Sequence, residues 1–562
     1  MIIHQILPAT ISIIFLVLYY YFIGSLLYPF IFSSKKNYDK QINQSLFLGL
    51  ISNTTFLYLW NLFFPINEIG FVVFILICFF IGVKYRIIKN IRNNIVSYFI
   101  KYIPFIFLIS TWLGFLSNNM IGPYDLGLYH LQVIKWAESF HVVKGIGNLH
   151  SRLGFSCSSW LLSSQFNVVF NTKLFLWTHG AIYLIIGFIN FLYLPVFSKI
   201  RIKKSEKIIR IFYLPMLVNL CFSSFPGTSS DLPVFLFTSI ISIYYFRFIA
   251  YKENGSINMI FLLAVLGLSS KLTFAAVIIG LGFPLIFIMI KQISNINYLA
   301  KGIVLLSLIT FILWSYRNVI MTGYPFYPYN KISFPVEWKM NQATVENIKN
   351  QITIYSTGYT DIKKLKYKER LKWYLKKITV QHRKIEIYYP IIIGVFGLLY
   401  SLIFIRKKFH EIVMLALPSV FPILLWTQIP GSRFFSSSFW WFGIAFIVYP
   451  LTKMMKNRNY NYLFLLIVAF SISIHVLDRL GSPKNFFPMN IKSEIPDITT
   501  KKNITNQGLT YFLPKDDLCW DSPLPCSPEP EFWLENVVQI TDGKIWEGYR
   551  IKKLNQLDDN IN

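Results

Sequence analysis

Long apolar runs separated by short polar segments make up most of this chain. The runs fall near residues 9–32, 45–64, 66–83, 100–117, 173–197, 208–222, 231–250, 256–270, 272–290, 302–319, 388–405, 410–427, 435–452 and 461–477. A helix needs roughly 17–25 residues to cross a bilayer, and several runs reach that length. Those at 208–222, 256–270 and 272–290 are short or abut, so their ends stay open. The pattern predicts an all-α polytopic membrane protein of about 13–14 transmembrane helices, with interfacial helices on its outer face. A membrane region over 1–478, with outer loops at about 118–172 and 320–387, precedes a small extracytoplasmic tail over 479–562.

Composition agrees with the pattern. Hydrophobic residues make up 54% of the chain and charged residues 14%, and the mean hydropathy is +0.49. Soluble domains carry about 25% charged residues, so a soluble fold is excluded.

The net charge of +28 resembles a nucleic-acid signature until its placement is read. Alternate loops carry Lys35, Lys36 and Lys40; Lys84, Arg86, Lys89 and Arg92; Lys199, Arg201, Lys203, Lys204, Lys207 and Arg210; Arg247 and Lys252; Lys291 and Lys301; Arg406, Lys407 and Lys408; and Lys453, Lys456 and Arg458. The same loops hold only Asp39, Glu206, Glu253 and Glu411 as acids. Basic loops mark the cytoplasmic side, so the excess is topological and calls for no nucleic acid. Both termini, the loops around 125 and 320–387 and the tail then fall outside. The first apolar segment is long and lacks a basic stretch before it, unlike a cleavable signal peptide.

The polar interruptions on the outer side carry the candidate chemistry. Asp125 lies in Gly122-Pro-Tyr-Asp-Leu-Gly-Leu-Tyr-His130, and a carboxylate beside lipid is costly to keep without a use. Leu128, Leu131, Ile134 and Trp136 then alternate with Lys135 and Glu138, predicting a short interfacial helix with Asp125 at its start. A helix cap is the plain explanation of Asp125; its neighbours Tyr124, Tyr129 and His130 favour a functional one. Gly145-Ile-Gly-Asn-Leu-His-Ser-Arg-Leu-Gly154 is turn-rich, and its Asn148, His150 and Arg152 suit a polar pocket. Residues 155–170, rich in serine, are too polar to face lipid and read as packed inside or re-entrant.

Asp231 is a second outer carboxylate, with Pro233 just after it, as at an ordinary helix start. Lys271, Arg317 and Arg433 are isolated cations at outer span ends, against the positive-inside trend. Snorkelling to lipid phosphates accounts for each alone; together with Asp125 and Asp231 they favour an anionic headgroup. Residues 363–377 read as a basic amphipathic helix at the membrane surface, its apolar face drawn from Ile362, Leu365, Leu371, Tyr374, Leu375 and Ile378.

Of five cysteines, Cys78, Cys157 and Cys221 sit in apolar surroundings and read as buried small residues. Cys519 and Cys526 are close together in the outer tail, where an oxidising compartment permits a disulfide. Their spacing suits neither a metal nor a redox CxxC site. No metal site is assigned; a divalent cation on Asp125 and Asp231 is compatible with the residues, but no ligand spacing demands it.

Many spans, a carboxylate on a large outer loop, interfacial helices after it and outer-face cations resemble the GT-C class of integral-membrane glycosyltransferases. Trp314-x-x-Arg-Asn followed by Gly-Tyr-Pro-Phe-Tyr-Pro328 is similar to a stretch in bacterial members. The resemblance implies a polyprenyl-phosphate-linked sugar donor and a glycan or lipid acceptor, with the site on the outer face of a bacterial inner membrane. It makes Asp125 the base and Lys271, Arg317 or Arg433 the partner of the leaving phosphate. Members of that class carry the acidic motif soon after the first span and often as a pair, whereas Asp125 follows about four spans, without an acidic neighbour. Tyr124-Asp-Leu-Gly-Leu-Tyr-His130, Gly147-Asn-Leu-His-Ser-Arg-Leu-Gly154 and Cys519-Trp…Pro-Cys526 also resemble an uncharacterised group of bacterial multi-pass proteins. Two rivals remain: a polymerase or ligase of preassembled glycans, and a transporter of lipid-linked glycan. The transporter is disfavoured because no internal repeat appears and most ionisable residues lie at span ends.

Overall fold

Backbone N–H and C=O groups in an apolar setting must bond within their own segment, so apolar runs become helices. The computed structural model describes residues 2–31, 38–84, 100–118, 124–198, 202–223, 227–291, 300–358, 364–379, 384–455, 467, 495–528 and 534–552. Four helices open the chain: α1 (Ile2–Ile31), α2 (Tyr38–Asn61), α3 (Glu68–Lys84) and α4 (Ile100–Asn118). Short helices follow, α5 (Leu131–Ser139) and α6 (Ser158–Val169), then a broken helix α7 (Phe175–Val196). Next come α8 (Lys204–Phe212), α9 (Leu214–Ser223), α10 (Asp231–Tyr251), α11 (Ser256–Ser270), α12 (Ala275–Lys291) and α13 (Lys301–Thr322). The loop after α13 carries α14 (Gln342–Thr357) and α15 (Tyr367–Thr379), and α16 (Tyr389–Phe404), α17 (Phe409–Trp426) and α18 (Ser432–Met454) complete the bundle. The run expected at 461–477 and the basic loop around 85–99 lie outside the described residues.

Among the described residues the structure is mostly helical, and seven helices are long and apolar enough to cross a membrane. They are Ile6–Pro29, Phe175–Val196, Asp231–Tyr251, Lys301–Thr322, Lys384–Phe404, Arg406–Trp426 and Arg433–Met454. Lys101–Ser117, Ser256–Ser270 and Leu272–Ile286 are apolar but shorter.

Small residues let the helices approach closely. A Cβ on Gly24 or Gly49 would run into the backbone carbonyls of Ser45 and Tyr20, which brings α1 against α2. Gly397 and Gly443 do the same for α16 and α18, and Gly280 seats α12 on Pro418 of α17.

Two runs differ from the smooth spans expected. The run at 208–222 is divided between α8 and α9 around Tyr213, with Pro215 in the first turn of α9; proline cannot donate the N–H that a continuous helix would need there. In α7 a π-turn covers Ile189–Tyr193, and Asn190 in it exchanges side-chain hydrogen bonds with Asn43 of α2. Polar pairing between helices is what the irregular turn supports. The serine-rich α6 is packed inside, as one of the two readings had it: Ser158, Ser159, Ser163, Ser164 and Gln165 are all buried, and Gln165 accepts from Asn53 at 2.7 Å.

The tail forms two antiparallel hairpins, β1 (Thr500–Ile504) with β2 (Thr510–Pro514) and β3 (Val537–Gln539) with β4 (Tyr549–Ile551). Cys519 and Cys526 are disulfide-bonded, while Cys78, Cys157 and Cys221 are free and buried.

Candidate functional site

The predicted interfacial helix is not a free surface element. Leu131, Val133, Ile134 and Trp136 of α5 are buried in one cluster with Leu509, Tyr511, Trp520, Leu534, Val537 and Tyr549 of the tail. The tail supplies the apolar cover that lipid was expected to give. Gln132 donates to the carbonyls of Trp520 and Ser522 at 2.9 and 3.1 Å. Asp521 accepts from Lys135 at 3.1 Å and Lys173 at 2.6 Å. Burial alone would raise the Asp521 carboxyl, but these two lysines hold it below its usual range. Glu138 on the same helix is different: burial pushes it up to about 7, against the pull of Lys173. Trp520 donates its backbone N–H to the Gly127 carbonyl at 2.7 Å, and its ring covers Gly127 so closely that a Cβ there would lie 2.5 Å from it. The disulfide loop therefore rests two residues from Asp125.

Asp125 precedes a π-turn, Leu126–His130, that leads into α5, and its side chain makes no capping hydrogen bond. It faces Arg433 at 3.7 Å instead. Ser230, not Asp231, holds the cap position of α10, and Asp231 accepts from Lys271 at 2.5 Å and lies 3.7 Å from Arg433. Four residues from four parts of the sequence thus form one chain of charges, Asp125–Arg433–Asp231–Lys271. It is graded in depth: side-chain exposure falls from 57% for Arg433 and 31% for Asp125 to 22% for Lys271 and 9% for Asp231. Phe434 lies under both cations, 4.4 Å from Lys271 and 5.3 Å from Arg433. A ring face attracts a cation without satisfying its hydrogen bonds.

His130 and Tyr129 form the buried wall beside this chain, Tyr129 edge-on to Trp160 and His130 tilted against it. Burial lowers the His130 imidazole to about 4, so it is neutral at neutral pH. Burial raises the Tyr129 phenol, with Asp125 adding to the effect. Arg152 sits over the Tyr129 ring, 5.8 Å from its centre. Tyr124 is exposed next to Asp125.

Three expected residues stand apart from the four charges. Asn148 is buried and donates to the carbonyls of Trp338 and Tyr549, tying its loop to the tail. His150 is buried and lowered to about 3 by burial, then by Arg152. Arg317 is buried in α13, where it donates to Ser156 at 3.2 Å. A polar belt runs from there towards Lys271: Tyr58 donates to the Ser269 carbonyl at 3.2 Å, and Ser158 shares a hydrogen bond with Ser270 at 3.0 Å. Among the described residues no group of three or more His, Cys, Asp or Glu side chains is placed to hold a metal ion.

The basic helix α15 is half docked. Tyr374 and Ile378 pack towards Trp426, Phe435 and Phe439, whereas Leu371 and Leu375 stay exposed. Ile362 and Lys363 lie outside the described residues. Sequence reasoning did not single out Phe434, Gln132, Lys173 or Asp521. Phe434 adjoins Arg433 and was open to view; the other three reveal themselves only when the tail meets α5.

Neither the curated proteins nor the solved structures contain a match to this chain. One family does match, over residues 7–440, a span that takes in Asp125, Asp231, Lys271, Arg317 and Arg433 and stops before the tail. The chain belongs to that family, described as a domain of unknown function, DUF8201.

Proposed function

We propose that this protein is a membrane glycosyltransferase, moving a sugar from a polyprenyl-phosphate-linked donor to a glycan or lipid acceptor of the cell envelope. One observation carries the reading: Arg433 stands exposed between two carboxylates, 3.7 Å from each, without a close bond to either. A guanidinium held this loosely can take a phosphate in bidentate fashion, and doing so frees Asp125. Asp125 then accepts the proton of the acceptor hydroxyl as that oxygen attacks the anomeric carbon. The bond from that carbon to the phosphate oxygen breaks, and Arg433 and Lys271 stabilise the charge left on the lipid phosphate. The deeper Lys271–Asp231 pair holds Lys271 in place. Neutral His130 and Tyr129 wall the site without adding a competing charge.

The same reading has the three shorter apolar helices, α2, α3 and the runs at 208–222 and 461–477 cross the bilayer too, giving about 13–14 spans. The charged site and the tail then face away from the cytoplasm of a bacterial inner membrane. Reporter fusions check this orientation: a periplasmically active reporter is expected to work after residue 480 and to fail near residue 205. The activity is tested by adding purified polyprenyl-phosphate sugar and an envelope lipid or glycan fraction to the purified protein. Sugar release from the donor with incorporation into the acceptor is the expected result. Donor left intact, or carried across a vesicle membrane unchanged, would reject transfer and favour transport.

A further inference from the structure

Arg317 is unusual in what surrounds it. It is 4% exposed, and among the described residues no carboxylate lies within ion-pair distance. Its partners are neutral: Ser156 Oγ at 3.2 Å, Met321 Sδ at 3.1 Å and Asn61 Oδ1 at 3.5 Å. A buried charge compensated this weakly is costly, and native proteins pair such groups.

The space beside Arg317 is a cavity of about 20 Å³, lined among others by Asn61, Trp136, His141 and Met321. Among the described residues, three buried nitrogens on this lining have no hydrogen-bond partner: Arg317 Nε, Trp136 Nε1 and His141 Nδ1. The first two are obligate donors, and the third donates in one tautomer. Asn61 does not relieve them. Its amide donates to the carbonyls of Phe64 and Phe140, and its oxygen already faces Arg317. The cavity thus combines a fixed positive charge with donors in excess of acceptors. It has room for one body of about water size, too little for a phosphate.

We propose that this cavity binds a single monatomic anion, a halide, with chloride the natural occupant. A halide accepts from several donors at once and neutralises the guanidinium; a water has two lone pairs and leaves the charge in place. The ion would join α13 through Arg317 to α5 and its following loop through Trp136 and His141. The site is separate from the Asp125–Arg433–Asp231–Lys271 chain, so the inference stands whether or not the protein transfers sugar.

The test is thermal unfolding of the purified full chain in detergent at constant ionic strength, with gluconate replaced stepwise by chloride, bromide or sulfate. A ligand that binds only the folded state raises its stability in a saturable way. Chloride and bromide are expected to give a saturable rise in the midpoint, and sulfate none. Trp136→Phe keeps an aromatic side chain but removes the N–H, so the half-saturating chloride concentration should rise about tenfold, the worth of one hydrogen bond to an ion. Arg317→Gln should abolish the response. No halide response in the wild type would overturn the proposal, leaving water as the occupant. An equal response to sulfate, or a response unchanged in Trp136→Phe, would overturn it as well, since either places the ion elsewhere.

Discussion

Two buried or half-buried charge clusters sit in this bundle, and they are built differently. In one, Glu206 and Arg210 of α8 meet Arg247 near the end of α10. Arg210 donates to Glu206 at 2.9 Å and to the Asn190 side chain at 2.9 Å, while Arg247 donates to both oxygens of Glu206 at 3.1 and 2.7 Å. All three charged residues are buried and closely bonded. The other cluster, at the start of α10, has one short pair, Lys271–Asp231, and then two separations of 3.7 Å around an exposed arginine. A saturated cluster has nothing left to offer a ligand, and its loss is felt in folding. An unsaturated one has spare donors and an accessible carboxylate, and its loss should be felt in chemistry. On the proposed function, the two ends of α10 separate a structural use of charge from a catalytic one.

Variants can break this contrast. Asp125→Asn should insert and accumulate normally yet lose about 10²–10⁴-fold in transfer, the usual contribution of a positioned proton acceptor. Transfer at the wild-type rate with equal expression would remove Asp125 from the chemistry. Glu206→Gln should do the opposite. Leaving two arginines buried against a neutral partner costs about 3–5 kcal/mol, so abundance and thermal midpoint fall while activity per folded molecule holds. Arg433→Gln is expected to lower transfer about 10²–10³-fold, as for other residues that stabilise transition-state charge, with no change in midpoint. A large midpoint loss there would mean that the outer cluster is structural after all.

Smaller effects are expected where the tail meets α5. Cys519→Ser opens a short loop worth roughly 2 kcal/mol, and its readout is faster proteolysis of the tail along with a partial loss of transfer, since Trp520 no longer braces Gly127. Proteolysis unchanged from wild type would show that the hairpins hold without the disulfide. The smallest effect is a pH dependence. Glu138 is raised to about 7 in the docked state, so the undocked chain loses its proton first as pH rises from the ordinary carboxyl range. Docking should therefore weaken progressively between about pH 4.5 and 7 and level off above. Lys135, Lys173 and Asp521 face Glu138, and Asp521, held low, titrates below that window. Glu138→Gln should flatten the dependence of tail protection on pH, measured by hydrogen exchange.

Much of this was readable from residue order. Apolar runs had to become helices, because period and length are local properties and a backbone away from water bonds to itself. The runs at 231–250, 256–270 and 302–319 correspond to α10, α11 and α13 within a few residues. The disulfide was also open to reading, since its cysteines lie only seven positions apart. The isolated ions at span ends marked Asp125, Asp231, Lys271 and Arg433, because a charge beside an apolar run is rare enough to notice.

Only the tertiary structure decided which of those ions meet. Arg433 lies 308 positions from Asp125 in the chain and 3.7 Å from it in space, and no periodicity encodes such a distance. It also set Arg317 apart, in the same class of position by sequence but buried among neutral partners. The amphipathic pattern of α5 stated that one face needed apolar cover; it could not state whether lipid or protein supplies it. The pattern is the same for both, and the tail, more than 350 residues away, does so here. Sequence specifies what each segment must bury, and the packing of distant segments decides what it is buried against.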